Sequence, residues 1–514
     1  MSTTRPLRRL LGPVLAAALV ATCGTVGGDD DRLAAPSTDP TELTTTTATA
    51  LDTSVTSETS TTVAPTTRAE PTTTTVADTT TTAAPTTVGP PTTAVSATGC
   101  PAVPAWPGLD PNRPRYTVTA QLDPARAAIS GTWRVRFVPD LATSRIVLRL
   151  WPNGPRPAAS GVSLAVGEFA SDHTIVGVTN PDATTVIVNL AAELAPGEAV
   201  ELTTTWQLNV PGATPDRWSR SGGALRIGSF VPLVAWEPGV GWALQPPTSG
   251  FAEAVSSPVA DWDLTVSAPA GVDVLASGAP DGTGRWTAVG ARDIALSAGS
   301  FSLASATSAG GVAVSVGVQN GIGESAQAYL NRVVAALDDF SRRFGAYPWP
   351  ALSLAITPDL GGGIEFPMHI HQGPGTIGRT TPHEVAHQWF YGVVGNNQGR
   401  DPVLDEGLAT YAEARHEGTI GAMESRFVPP DAQGHAGEPM SFWESRLNSY
   451  YRGVYVQGSN ALSTLGDDAL VDCALAHYMA NNAWGIATQA DLVAAMSTVF
   501  PNAPASLAAY GIAG

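Results

Sequence analysis

The hydrophobic period changes once along this chain, and that change constrains the fold more than any other feature. From Tyr116 to about Ser308, apolar residues recur at every second position. Tyr116, Val118, Ala120 and Leu122 alternate with polar neighbours, as do Trp133, Val135 and Phe137 against Arg134 and Arg136, and later Val200, Leu202, Thr204, Trp206 and Leu208. A strand sends successive side chains to opposite faces, so this pattern predicts short strands with one buried and one solvated face. Separated by Gly, Pro and Asp turns, they predict an antiparallel β-sandwich. Near Glu324 the period becomes helical: Leu330, Val333, Val334, Leu337 and Phe344 share one stripe, closed by Gly345 and Pro348. Helical patterns then dominate, which predicts a β-sandwich domain at 100–308 followed by a mainly α domain at 309–514.

The first hundred residues follow neither period. Arg5, Arg8 and Arg9 precede the apolar run Leu10 to Ala21, which is short of the roughly 20 residues that a membrane span needs. Residues 1–23 therefore read as an export signal rather than a transmembrane helix. The run ends in LVATCG, which resembles the lipobox of bacterial lipoproteins, in which the cysteine, here Cys23, becomes the lipidated first residue. Thr22 stands where that motif usually has Gly or Ala, so ordinary signal cleavage is the alternative. The expected location is outside the cytoplasm, anchored by lipid to the outer face of the bacterial cell membrane or otherwise secreted. Residues 24–99 are the expected stalk: from Ala35 to Ala97 the chain is almost entirely Thr, Ser, Pro, Ala and Val, a composition that cannot offset its ordering entropy.

Export permits disulfides, and with Cys23 assigned to lipid, Cys100 and Cys473 remain. They are a possible pair, although Cys473 lies in a helical pattern where a small buried thiol fits equally well. The 27 basic and 45 acidic residues give a formal charge of −18, which argues against nucleic-acid partners and against electrostatic docking on anionic lipid. No P-loop or G-x-S-x-G motif points to phosphate binding or serine hydrolysis.

The chemistry concentrates in TTPHEVAHQWFYG, Thr380 to Gly392. On a helix His383 and His387 lie one turn apart on one face, so both imidazoles can reach one ion, with Glu384 beside it. The same residues also spell a capping box, with Thr381 as N-cap, Pro382 at the first helical position and Glu384 reaching back. Taken alone, the motif leaves both readings open. Eighteen residues separate His387 from Glu406, in VLDEGLATYAEA, and two histidines with one carboxylate form a catalytic zinc set that keeps a fourth position for water.

Together HEVAHQWFYGVVGN and LDEGLATYAE resemble the gluzincin zinc metallopeptidases related to aminopeptidase N. The resemblance implies one Zn2+ per chain, held by His383, His387 and Glu406, with Glu384 as general base in a mainly α, thermolysin-like peptidase domain. GGGIEFP is similar to the family's exopeptidase motif, with Ile364 in place of Met and Phe366 in place of Asn. It implies that Glu365 binds the substrate's free α-amine. VYVQGSNAL resembles the family's Tyr-x-x-Gly segment and implies Tyr455 as the transition-state tyrosine, with Tyr451 as the alternative from an ungapped match. LRLWPNGP, DWDLTVSAPAGVDVLASG and RDIALSAGSF are similar to the family's N-terminal β domain, so the likeness spans roughly residues 110 to 510. It covers no large C-terminal helical domain, which implies a more open cleft.

The implied function is removal of N-terminal residues from peptides. The alternatives are internal cleavage in an open cleft, or a surface binding module without catalysis. Among the remaining residues, Asp405 can hydrogen-bond a ligating histidine. His369 and His371 have strand-like spacing and are expected at a surface or lining a pocket. His416, His435 and His477 carry no pattern, and nothing in the sequence sets the oligomeric state.

Overall fold

The computed structural model describes residues 99–123, 125–250 and 256–514. The export signal, the lipobox and the stalk up to residue 98 lie outside the described residues. Among the described residues no helix is long and apolar enough to cross a membrane.

The period-two segments form strands where expected. An eight-stranded sheet runs Ala279–Pro280, Arg285–Ala291, Ala260–Ser267, Arg115–Leu122, Ala128–Phe137, Val200–Asn209 and Ser163–Val166, with Ala170–Ser171 also paired to Val200–Asn209. Its residues alternate: in Arg115–Leu122 every second side chain, Tyr116 to Leu122, is buried and those between are exposed. The expectation of antiparallel pairing fails at one place. Arg115–Leu122 runs parallel to Ala260–Ser267, because these strands are joined through more than a hundred residues of intervening chain rather than by a tight turn. A four-stranded sheet containing Thr143–Arg149 and Leu233–Val234 covers the buried face. Tyr116 Oη accepts from the Val234 amide at 3.0 Å, and Trp133 Nε1 donates to the Pro232 carbonyl at 3.0 Å. Buried Tyr and Trp need such partners for their polar tips.

A five-stranded sheet bridges the β-rich and helical regions, in the order Phe301–Thr307, Ala313–Gln319, Ala351–Ile356, His369–Gln372, Gly363–Phe366. The expected division at 308/309 falls inside the first hairpin of this sheet. Its strand Gly363–Phe366 is an edge, antiparallel to His369–Gln372. The predicted helix spans Ala326–Phe344, capped by the Ser325 side chain, which accepts from the Ala328 amide. Gly345, at φ 113°, ends it in a conformation that side chains disfavour. Cys100 and Cys473 form a disulfide with Cα atoms 5.9 Å apart, which ties the start of the folded part to the helix Asp468–Asn482.

Candidate metal centre

Three helical segments and one sheet edge build the site. His383 and Glu384 lie on the short helix Thr380–Ala386, and His387 continues it with helical φ and ψ. The expected capping box does not form: Arg379 occupies the cap position without a side-chain bond. Thr381 lies inside the helix, its hydroxyl accepting from Gln372 Nε2 at 3.0 Å. Glu384 is thereby released from a capping role. Its Oε2 is buried and has no hydrogen-bond partner among the described residues.

Glu406 lies in a π-helical turn, Val403–Gly407, that leads into the helix Leu408–Glu417. A second π-helical turn, Tyr451–Val456, carries both candidate tyrosines. Such turns re-aim side chains and recur at functional sites. The two turns touch backbone to backbone. A Cβ on Gly458 would lie 2.7 Å from the Gly407 Cα, and one on Gly407 would lie 3.0 Å from the Gly458 Cα. The glycines following Glu406 and Tyr455 in the two motifs therefore permit the contact that brings those residues to one cleft.

His383 Nε2, His387 Nε2 and Glu406 Oε2 form a triangle with edges of 3.1, 3.2 and 3.3 Å. Donors about 2.0 to 2.1 Å from a tetrahedral zinc ion stand about 3.3 Å apart, so the triangle fits one ion. The opposite ring nitrogens are also held. His387 Nδ1 is 2.7 Å from Asp405 Oδ1 and 3.1 Å from the Phe390 carbonyl, while His383 Nδ1 is 3.3 Å from Glu413 Oε2. A proton on each Nδ1, facing oxygen, leaves the Nε2 lone pairs aimed at the centre of the triangle, as a metal-ligating histidine requires. Arg379 pairs with the other oxygen of Glu413.

The electrostatics follow from burial and charge. Burial raises the Glu384 carboxyl above the usual range. Burial likewise raises Glu365, against the pull of His387. At Glu406 the same burial is outweighed by His387 and His383, which hold the carboxyl well below its ordinary value. At His387, desolvation is outweighed by Asp405 and Glu406, so its pKa is raised.

The cleft is lined on one side by Gly363 and Glu365 and on the other by Tyr451 and Tyr455. Gly363 makes room for the base, since a Cβ there would lie 2.3 Å from Glu384 Cγ. The Tyr455 ring is stacked on His383 at 5.8 Å and 12°, and Tyr451 packs beside it with ring centres 5.0 Å apart. Glu365 stands on the sheet edge within this cleft. Phe366 does not reach it: the ring is fully buried and packs over Gly228, where a Cβ would lie 1.9 Å from Phe366 Cζ.

Other sequence expectations change here. His369 and His371 are wholly buried, neither at a surface nor in the cleft. His369 bonds to Ser297 Oγ of the β-rich region at 3.0 Å and to Ser353 Oγ of the neighbouring strand Ala351–Ile356 at 2.7 Å. His416, which carries no sequence pattern, pairs with Asp339 Oδ2 at 3.0 Å. Glu406, expected as a ligand, is 3% exposed. Glu413 belongs to the site although the sequence reading gives it no role; it closes the LDEGLATYAE segment, and its position seven residues after Glu406, two helical turns on, is the signal that could have found it.

No protein-family model matches the sequence. Solved structures do match. The M1 zinc metallopeptidase from Deinococcus radiodurans is 19% identical over 80% of this chain and 96% of that one, with a TM-score of 0.55. A mutant of that enzyme bound to a Tyr-Ser-Ala substrate gives 20% identity, the same coverage and a TM-score of 0.57. The chain has the fold of these enzymes. A two-domain M1 zinc metallopeptidase mutant bound to L-arginine aligns equally well, at 19% identity and a TM-score of 0.57 over 80% of this chain and 96% of that one. At such identities the likeness is one of fold. The three-donor triangle in this chain is the independent sign that the fold here carries a metal site.

Proposed function

We propose that the protein is a zinc-dependent metallopeptidase that removes N-terminal residues from peptides outside the cytoplasm, held to the cell surface through a lipid on Cys23. The observation that carries this reading is the triangle of His383, His387 and Glu406 with the unpartnered Glu384 Oε2 beside it. The peptide and amino acid bound in structures of the same fold support a peptide substrate.

Zinc, when bound, supplies a Lewis acid that acidifies a water and polarises the scissile carbonyl. Glu384 accepts the proton of the attacking water at its free oxygen and returns it to the departing amine. The Tyr455 hydroxyl donates to the oxygen on which negative charge develops, the kind of interaction that strengthens only as the transition state forms. Glu365, on the edge strand, accepts from the substrate's terminal ammonium and so counts residues from the amino end.

A second reading, internal cleavage, is favoured by one observation: Phe366 is buried away from the cleft, so Glu365 lacks the polar neighbour that the resemblance leads one to expect. Metal analysis tests the enzyme class. The purified full chain should hold one zinc per molecule, lose peptide hydrolysis on chelation and regain it with added zinc. No zinc at saturation would favour a surface binding module instead.

A further inference from the structure

One side chain outside the reacting groups joins the two halves of the cleft. Gln398 is fully buried, and its amide nitrogen donates to Glu365 Oε1 at 3.3 Å and to Asp405 Oδ2. The other Asp405 oxygen is the one beside His387 Nδ1. A side-chain amide carries two N–H donors, so each carboxylate receives one and neither is left to the other's repulsion. The preceding residue fixes this amide from outside the helical region. Asn397 Nδ2 donates to Glu237 Oε1 at 2.6 Å and to Gln245 Oε1 at 3.0 Å. Glu237 Oε2 pairs with Arg400 at 3.2 Å, which grips the same loop a second time. Glu237 belongs to the β-rich region, in the strand Trp236–Glu237 that pairs with Gly241–Trp242.

We propose that Gln398 is a positioning residue that couples the acceptor of the substrate ammonium, Glu365, to the ligating His387 through Asp405. The β-rich region, by holding Asn397, sets the aim of both. The coupling rests on the reading of Glu365 given above. Without the bridging amide, two adjacent buried carboxylates turn apart. Glu365 then meets the ammonium less well, and the Asp405 carboxylate beside His387 Nδ1 loses its aim, leaving the Phe390 carbonyl to orient that ring alone.

The test uses the zinc-loaded full chain carrying Gln398→Met, which keeps length and volume but has no donor. KM for a free-amine peptide should rise about tenfold while kcat changes less than about threefold. Zinc retention against a chelator should weaken about tenfold, the lower end of what loss of a partner behind a ligating histidine costs. In a Glu365→Gln background, Gln398→Met should add less than about twofold to KM, because coupled groups are not additive. Wild-type KM and zinc retention in folded Gln398→Met would overturn the proposal. So would a KM effect that persists undiminished without Glu365. If Gln398→Met does not fold, Asn397→Ala reads the same coupling from the far end and must raise KM in the same direction. Equal cleavage of acetylated peptides by the wild type would remove the reading of Glu365 and this coupling with it. Intact discrimination by the wild type, with Gln398→Met unchanged, would remove the coupling alone.

Discussion

The metal half of the cleft and its amine half are built by different means. His383, Glu384 and His387 come from one helical turn, and Glu406 from a turn that leads into a second helix. Each is placed by local geometry, and glycine-tight contacts complete the arrangement. Glu365, in contrast, sits on an edge strand and is reached by a loop that the β-rich region holds from about 160 residues upstream. Local helical order places the three ligands of the metal half, and the long-range bridge through Gln398 reaches it only behind His387, at Asp405. Long-range contacts make the amine half dependent on the whole molecule.

The largest effect should come from the metal half. Glu384→Gln should lower kcat by about 10³-fold, in the range of a lost general base, while zinc binding stays at wild-type level. Retained turnover in that variant would reassign the base. Tyr455→Phe should lower kcat by roughly 10²-fold with KM little changed, and Tyr451→Phe should change it far less. The reverse order would move the oxyanion donor to Tyr451.

This contrast also decides what was legible in the sequence. Helical spacing turns a linear motif into a geometry, so the spacing of H-E-x-x-H and Glu406 already specifies one cluster. Glu413, two turns further along the same helix, is equally readable. Gln398 is not, because its role depends on a strand edge and a loop that meet only in the folded molecule. The parallel pairing of Arg115–Leu122 with Ala260–Ser267 is hidden for the same reason, since alternation predicts a strand's faces but not its neighbour's direction. His369 and His371 mislead because a period of two reports a shared face and not which face is covered. The capping box fails because Thr381 and Glu384 are claimed by tertiary partners and by the cleft.

Smaller perturbations sharpen the same comparison. Gly363 lies on the amine side yet makes space for the base of the metal side. Gly363→Ala should push Glu384 aside and lower kcat about tenfold, with a melting temperature within a few degrees of wild type. An unchanged kcat would mean that Glu384 tolerates displacement.

The smallest effect lies outside the cleft. Asp339 is buried, which alone would raise its carboxyl, but His416 and Arg343 outweigh this and hold it at about 2. A depressed carboxylate contributes stability that is present above its unfolded pKa of about 4 and is lost as pH falls through the folded value. Asp339→Asn should therefore cost about 1 to 2 kcal/mol at pH 7, and denaturation curves of the two proteins should converge as the pH approaches 2. A constant difference across that range would assign the loss to packing. Activity per folded molecule should be unchanged, since this network does not touch the site.

The central claim joins both halves in one reaction, and peptide hydrolysis tests it directly. Zinc-loaded full-length protein would be given one peptide series with free and with acetylated amino termini, with Glu384→Gln as the blank. The account predicts cleavage of the free peptides one residue at a time from the amino end, little cleavage of the acetylated ones, and loss of that preference in Glu365→Gln. Equal cleavage of both series would contradict it and make the protein an endopeptidase in which Glu365 is only part of the cleft wall.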